Sequence, residues 1–272
     1  MGRGILKMKP VQYHAPGDRL PETTVQLIAM EERKPIGWAS AFVIKCGGLR
    51  CLVTALHAAL IVKGVLLHPD PNFGIEVARI KGWGVFFDRV RQPESGTYCG
   101  LMDVAVAEIS HDVVLSRYDA SSEISSPHAW KIREVDIART GTVDLEAVYS
   151  FCGIINDGTP SCSELNAAGL GRVAVDFKRI EGVRLVDDSD PVMLKFALPS
   201  NEGCSNVCFN GTSGAPVLDE TGEVVAMVVS GSAERNEMSA MRFSYIWDLV
   251  CGKEGVGEGL ENLKKVSLAP LL

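Results

Sequence analysis

Met102-Asp103-Val104-Ala105-Val106-Ala107-Glu108-Ile109 sets apolar residues two apart behind an acidic one. Side chains on an extended backbone point alternately to opposite faces, so this spacing predicts a half-buried strand that Asp103 opens and on which Glu108 faces solvent. Working outward, the same texture recurs along the chain. Val25–Met30, Ala39–Cys46, Gly64–His68, Val85–Val90, Leu145–Ile154, Val173–Arg179, Val192–Ala197, Pro216–Leu218 and Val224–Ser230 are short runs rich in Val, Ile and Phe. Gly, Pro, Asn or Asp falls between them roughly every eight to fifteen residues, the punctuation of strands joined by turns. Helical periodicity is confined to a short turn at Ala55–Ala59 and to Ile246–Val250 and Leu260–Val266 near the end. The residues thus argue for an all-β sandwich or barrel.

Composition excludes several classes. The chain has 272 residues, 46% hydrophobic and 22% charged, with a net charge of −7. That length can bury a substantial core in one large domain or two small ones. The acidic balance argues against nucleic acid as a partner, since phosphate affinity needs clustered Lys and Arg. No membrane span is expected: the longest apolar run, Leu52–Val62, is broken by Thr54 and His57 and is shorter than the ~18 residues a span requires. Met1–Pro10 lacks the apolar core of an export signal, and Leu6 breaks the myristoylation pattern that Gly2 would begin. The expected location is therefore cytoplasmic or otherwise intracellular, with reduced thiols, or within a longer precursor from which the chain is released. Eight cysteines are too few for a disulfide scaffold. Cys46/Cys51 and Cys204/Cys208 are single pairs without a matching second pair, so no metal and no other cofactor is expected.

Three segments carry chemistry. Val53-Thr54-Ala55-Leu56-His57-Ala58-Ala59 places a His among small apolar residues after a β-rich run. Asp103 opens the strand quoted above. Gly211-Thr212-Ser213-Gly214-Ala215-Pro216-Val217 holds a Ser in a glycine-rich turn that leads into another strand. A serine hydroxyl becomes a useful nucleophile when a base takes its proton, and His is suited to that near neutral pH. A carboxylate on the far ring nitrogen fixes the tautomer and stabilises the imidazolium that forms. Glycines around the Ser allow backbone N–H groups to converge on a developing oxyanion. His14, His68, His111 and His128 have no such company, and Asp112 is a weaker rival to Asp103.

The order His57, Asp103, Ser213, with Thr-Ala-x-His, Asp-x-Ala and Gly-x-Ser-Gly-x-Pro around them, resembles the chymotrypsin-fold (trypsin-like) serine peptidases, in the short style of HtrA-like bacterial and viral members. An α/β-hydrolase fits poorly, because its Ser lies in Gly-x-Ser-x-Gly and precedes its partners. The resemblance implies two six-stranded antiparallel β-barrels with a short C-terminal helix. Its units are an N-terminal extension over 1–22, a first barrel over 23–118 carrying His57 and Asp103, a linker over 119–130, a second barrel over 131–250 carrying Ser213, and a C-terminal segment over 251–272. Within that segment Leu260–Leu272, with Lys264 and Lys265 among leucines, reads from its own residues as a short helix packed on the second barrel. It implies Ser213 as nucleophile, His57 as acid/base, Asp103 as orienting carboxylate, and the N–H groups of Gly211 and Ser213 as oxyanion hole. The substrate pocket would have Val207 as its floor, Cys208 beside it and Ser230-Gly231-Ser232 as its wall; none is acidic, so a peptide or protein substrate would be cut after a neutral residue. Thr212 stands where zymogen-activated members have an Asp, no Ile-Val-Gly-Gly start is present, and Ala58 replaces a half-cystine, so cleavage-driven activation is not expected. Two other functions share these parts: a catalytically silent fold that binds proteins, and a polyprotein-processing peptidase of the viral type.

Overall fold

The computed structural model describes residues 23–31, 34–66, 77–80, 82–92, 96–118, 129–136, 141–154, 177–199, 211–232 and 234–251. The first half forms β1 (Val25–Glu31), β2 (Lys34–Cys46), β3 (Leu49–Thr54), α1 (Leu56–Ile61), β4 (Val62–Leu66), β5 (Val77–Arg79), β6 (Gly84–Gln92) and β7 (Gly96–Ile109). These strands make one sheet in the order β5-β4-β1-β2-β3-β7-β6. Gly47 and Gly48, both at positive φ, supply the two-residue loop between β2 and β3, the geometry that matches the twist of a tight hairpin.

The chain then forms a two-stranded ribbon from β8 (Ser116–Tyr118) and β9 (Ala129–Lys131), so Ala129 and Trp130 at the end of the expected linker are strand. Next, β10 (Val135–Asp136) pairs in parallel with β2 at Ile44 and Lys45. Below that contact Arg50, almost fully buried, pairs with Glu134 and donates to the carbonyls of Ser110 and Val113. The connecting chain is thereby held to the turn end of the β2–β3 hairpin.

The second half forms β11 (Val148–Ile154), β12 (Phe177–Asp187), β13 (Met193–Ala197), β14 (Pro216–Leu218), β15 (Val224–Ser232) and β16 (Glu237–Arg242), followed by α2 (Phe243–Cys251). These strands close into a six-stranded barrel in the order β11-β12-β13-β16-β15-β14, sealed where Ser150 and Phe151 face Leu218 and Val217. Strand β13 shows the alternation of a one-face strand, with Leu194 and Phe196 inside and Lys195 outside. Tyr149 stacks edge-on to Phe196 at 5.3 Å inside this barrel, and its hydroxyl bonds both the N–H and the carbonyl of Asp144.

Several expectations are corrected. The mostly β architecture and one closed six-stranded barrel are present, but the described strands of the first unit, seven plus β10, make a sheet that does not close. Among the described residues its edge strands β5 and β6 do not pair: β5 is three residues long and pairs only with β4. Asp103 lies within the fourteen-residue β7 rather than at its head, and Val104–Ala107 are all buried instead of alternating. The small Ala105 and Ala107 let β7 sit between β3 and β6 with both faces covered. Leu145 is an exposed turn residue, the strand beginning at Val148. Helix α2 packs its Phe243, Ile246 and Val250 into a core cluster that joins the first sheet to Val224, Met227 and Met241 of the barrel, with Phe243 5.9 Å from Phe42. Leu260–Val266 and the rest of 252–272 lie outside the described residues, as do 1–22 and 119–128. Uniformly reduced thiols do not hold either, since Cys46 is disulfide-bonded, while Cys51 and Cys152 are free and buried. No helix among the described residues is long and apolar enough to cross a membrane.

Candidate active site

Strand β3 delivers the chain into α1, whose N-cap is Ala55. Leu56, Ala58 and Ala59 bury one face of this six-residue helix, and the next position round, His57, is left projecting with its side chain 53% exposed. Ala58 and Ala59 are small enough for the helix to lie close against the sheet, which brings His57 alongside β7.

Asp103 receives His57 there. The backbone N–H groups of His57 (3.0 Å) and Leu56 donate to the Asp103 carboxylate, and His57 Nδ1 lies 2.8 Å from Oδ2 and 3.0 Å from Oδ1. An ionised carboxylate only accepts, so these contacts place the imidazole proton on Nδ1 and leave the Nε2 lone pair free. Partial burial pushes the Asp103 carboxyl up, but the bonds from the His57 ring and N–H, its charge and the Leu56 N–H outweigh this and hold it below the ordinary value. For His57 the hydrogen bond to Asp103 raises the imidazole above its ordinary 6.5, partial burial opposes the rise, and the carboxylate charge adds to it.

Ser213 arrives from the second barrel, in the turn before β14. Its Oγ is 2.8 Å from His57 Nε2 and 3.3 Å from the carbonyl of Val229 in β15. The turn is fixed from its own side by Gly214 N–H to Val228 O, by Ala215 N–H to Thr212 O, and by Thr212, fully buried against Gly153, where a Cβ would crowd it at 2.7 Å. From the opposite side the first sheet meets it: Ser40 N–H donates to Ser213 O (3.1 Å), Ser40 Oγ donates to Gly211 O (2.7 Å), and Thr54 Oγ1 donates to Ser40 O (2.7 Å). Gly214 has φ +89°, and a side chain there would overlap Ser40 O and Thr54 Oγ1.

Residues 46 and 110 positions apart in the chain are thus brought into one hydrogen-bonded line, Asp103–His57–Ser213. Gly211, at φ +94°, opens the same turn. Ser230 is exposed and Gly231 and Ser232 half-buried on β15, the strand whose Val229 carbonyl reaches Ser213 Oγ. Val207 and Cys208 lie outside the described residues. Sequence reading missed Ser40 and the supporting role of Thr54. The available signal was a hydroxyl between two alanines on a buried strand, Ala39-Ser40-Ala41, a weak one. The line of groups can deliver a serine oxygen as a nucleophile while a base removes its proton.

No family model matches the chain, and no curated protein matches it. Among solved structures it is similar to a serine endoprotease from Yersinia pestis, at 12% identity and a TM-score of 0.45, covering 86% of this chain and 63% of that one. It is also similar to tobacco etch virus protease at 9% identity, a TM-score of 0.45 and coverage of 85% and 77%. The HtrA-type protease AlgW follows at 10% identity, a TM-score of 0.45 and coverage of 86% and 60%. The chain spans less than two thirds of the Yersinia protein and of AlgW.

Proposed function

We propose that this chain is a serine endopeptidase, with the unbroken hydrogen-bonded line from Asp103 through His57 to Ser213 as the observation that carries the reading. Ser213 Oγ attacks the scissile carbonyl while His57 Nε2 takes its proton. Asp103 keeps the ring oriented and stabilises the imidazolium. The N–H groups of Gly211 and Ser213 receive the oxyanion of the tetrahedral intermediate, the interaction that usually contributes most to such a step. His57 then gives its proton to the leaving amine, the acyl group stays on Ser213, and a water molecule repeats the sequence to release the acid. The chemistry needs no metal or organic cofactor.

Two finer features belong to the same proposal. Cleavage follows a neutral residue, because Val207, Cys208, Ser230, Gly231 and Ser232 include no carboxylate to pair with a buried cation. The site also assembles without a freed N-terminus. Thr212, buried in its place against Gly153, occupies the position at which such a terminus would need an acid.

A fluorophosphonate probe tests the reading. It should label the intact protein on Ser213 and fail on Ser213→Ala; an unlabelled folded protein refutes the proposal. Loss of Ser213 or His57 should reduce turnover by about 10⁶-fold, since members of such a unit do not act independently. Peptide-library profiling that returned Lys or Arg at the cleaved position would overturn the neutral pocket.

A further inference from the structure

We infer that Ser40, on the opposite sheet from the nucleophile, is a positioning residue that holds the oxyanion-binding turn in its working shape; this rests on the serine-peptidase reading above. Ser40 is fully buried on β2; its N–H and hydroxyl both bond across the seam, and its carbonyl is held within its own sheet. The N–H holds the carbonyl of Ser213, the hydroxyl holds the carbonyl of Gly211, and the carbonyl is held by Thr54 Oγ1 and lies against Gly214. One residue of the first unit therefore touches both members of the proposed oxyanion hole.

The hydroxyl contact matters because of what Gly211 is. With φ +94° and no Cβ, this residue has no intrinsic preference for the conformation it adopts. Its N–H direction relative to the rest of the turn depends on φ and ψ together, and a held carbonyl plane removes one of the two freedoms by which the N–H could swing away. The bonds Gly214 N–H to Val228 O and Ala215 N–H to Thr212 O secure the far half of the turn. The 2.7 Å bond from Ser40 Oγ secures the near half by fixing the Gly211 carbonyl. Removing that hydroxyl leaves Ser213, His57 and Asp103 in contact and frees Gly211 to turn its N–H out of the hole.

The test is Ser40→Ala, which keeps the backbone bond to Ser213 and deletes only the hydroxyl. Hydrolysis of a peptide ester should show kcat lowered about 10- to 100-fold, short of the 10²–10³ lost with a whole oxyanion donor, with KM little changed. The decisive readout is the rate ratio between that ester and its thionoester, in which sulfur replaces the carbonyl oxygen. Wild type should prefer the oxygen ester, and Ser40→Ala should shrink the preference roughly tenfold, because only the oxygen uses the hole well. Simple destabilisation would lower both rates together. Ser40→Cys, whose thiol is a weaker donor, should fall between the two; if Ser40→Ala does not fold, Ser40→Cys decides by the same ratio. Wild-type kcat and ratio in a folded hydroxyl-less variant overturn the inference while leaving the peptidase reading standing. A wild-type protein that neither labels nor turns over overturns both.

Discussion

Gly214→Ala probes the seam between the two halves at its tightest point. The new Cβ would lie well over ~1 Å inside the ~3.5 Å separation at which heavy atoms pack, against Ser40 O and Thr54 Oγ1, and 3.0 Å from the Ser40 carbonyl carbon. Neither neighbour can retreat easily. Ser40 is paired with Gln26 in the middle of β2, and Thr54 closes β3 opposite Ala105. The backbone adds its own penalty, because φ +89° suits glycine and costs an L-residue about 1–2 kcal/mol. Overpacking of a rigid site adds about 1–3 kcal/mol. The sum, roughly 2–5 kcal/mol, is a large part of the ~5–15 kcal/mol typical of a folded domain.

The protein can relieve the overlap by letting the turn back away from the first sheet. A shift of about 1 Å would carry Ser213 Oγ from its 2.8 Å contact with His57 Nε2 to beyond bonding reach, and misplacements of that size cost about 10²-fold in rate. Gly214→Ala should therefore lose about 2–5 kcal/mol in urea denaturation and at least ~10²-fold in the rate of fluorophosphonate labelling of the folded fraction. Stability within ~0.5 kcal/mol of wild type together with native labelling kinetics would refute the picture of a turn clamped between two rigid strands.

Asp103→Asn should lower turnover by about 10⁴-fold and move the acid limb of the pH–rate profile downward. The sign follows from His57, whose pKa is raised above 6.5 chiefly by the bond to Asp103, so the base form is lost as pH falls through that raised value. The same bond contributes stability that is full below 6.5 and fades as pH rises through the folded pKa; denaturation across that window should show the dependence in wild type and not in the variant. Glu134→Ala strands the nearly buried Arg50 and should cost about 3 kcal/mol while leaving labelling of Ser213 unchanged. Burial pushes the Glu134 carboxyl up, but bonds from Lys45 and Arg50 hold it below 4.5, so its contribution is present above that pH and disappears as pH falls through the folded value; in urea melts the stability gap between wild type and Glu134→Ala should be full at pH 7 and smaller at pH 3. Cys51, buried and with its thiol pushed up to about 11 by burial and then by Glu108, should resist a thiol reagent in the native state and react only on unfolding. Native-state modification of Cys51 would contradict its placement in the core.

Much of the β architecture is legible because strands of this protein are short and turn residues separate them. The failures have local causes. Strand β16, Glu237-Met238-Ser239-Ala240-Met241-Arg242, alternates only as far as Ala240, and Met, Ser and Ala carry little β preference. It is a strand because it fills the gap between β13 and β15, where Ala240 faces Leu194 on one side and Val228 on the other. Closure is equally invisible from pattern. An apolar/polar period reports which face is covered and says nothing about whether the edge strands meet, so an open sheet and a barrel read alike at the level of β5 and β6. The burial of Val104–Ala107 on both faces erases the period in the structure although the residues alternate in size.

The three chemical groups were legible for a different reason: each sits in a short local context, and their order along the chain narrows the reactions they can share. Ser40 has no such context. Its partners on the barrel side, Gly211 and Ser213, lie 171 and more positions away, and between two alanines it reads as filler on a buried strand. That difference has a mechanical consequence. His57 and Asp103 stand on the open sheet and Ser213 on the closed barrel, so the 2.8 Å between His57 and Ser213 is a distance across a seam. The seam is held by Ser40, by Thr24 Oγ1 bonded to Cys152 O, by Tyr245 reaching Met102 Sδ, and by Phe243 against Phe42. Loosening any of these shifts one half of the site against the other without touching a reacting group. A cavity deep in the barrel, as at Phe196, lowers the folded fraction but leaves the seam of each folded molecule intact. Rate per folded molecule, rather than stability, is therefore the quantity that separates seam residues from core residues in this protein.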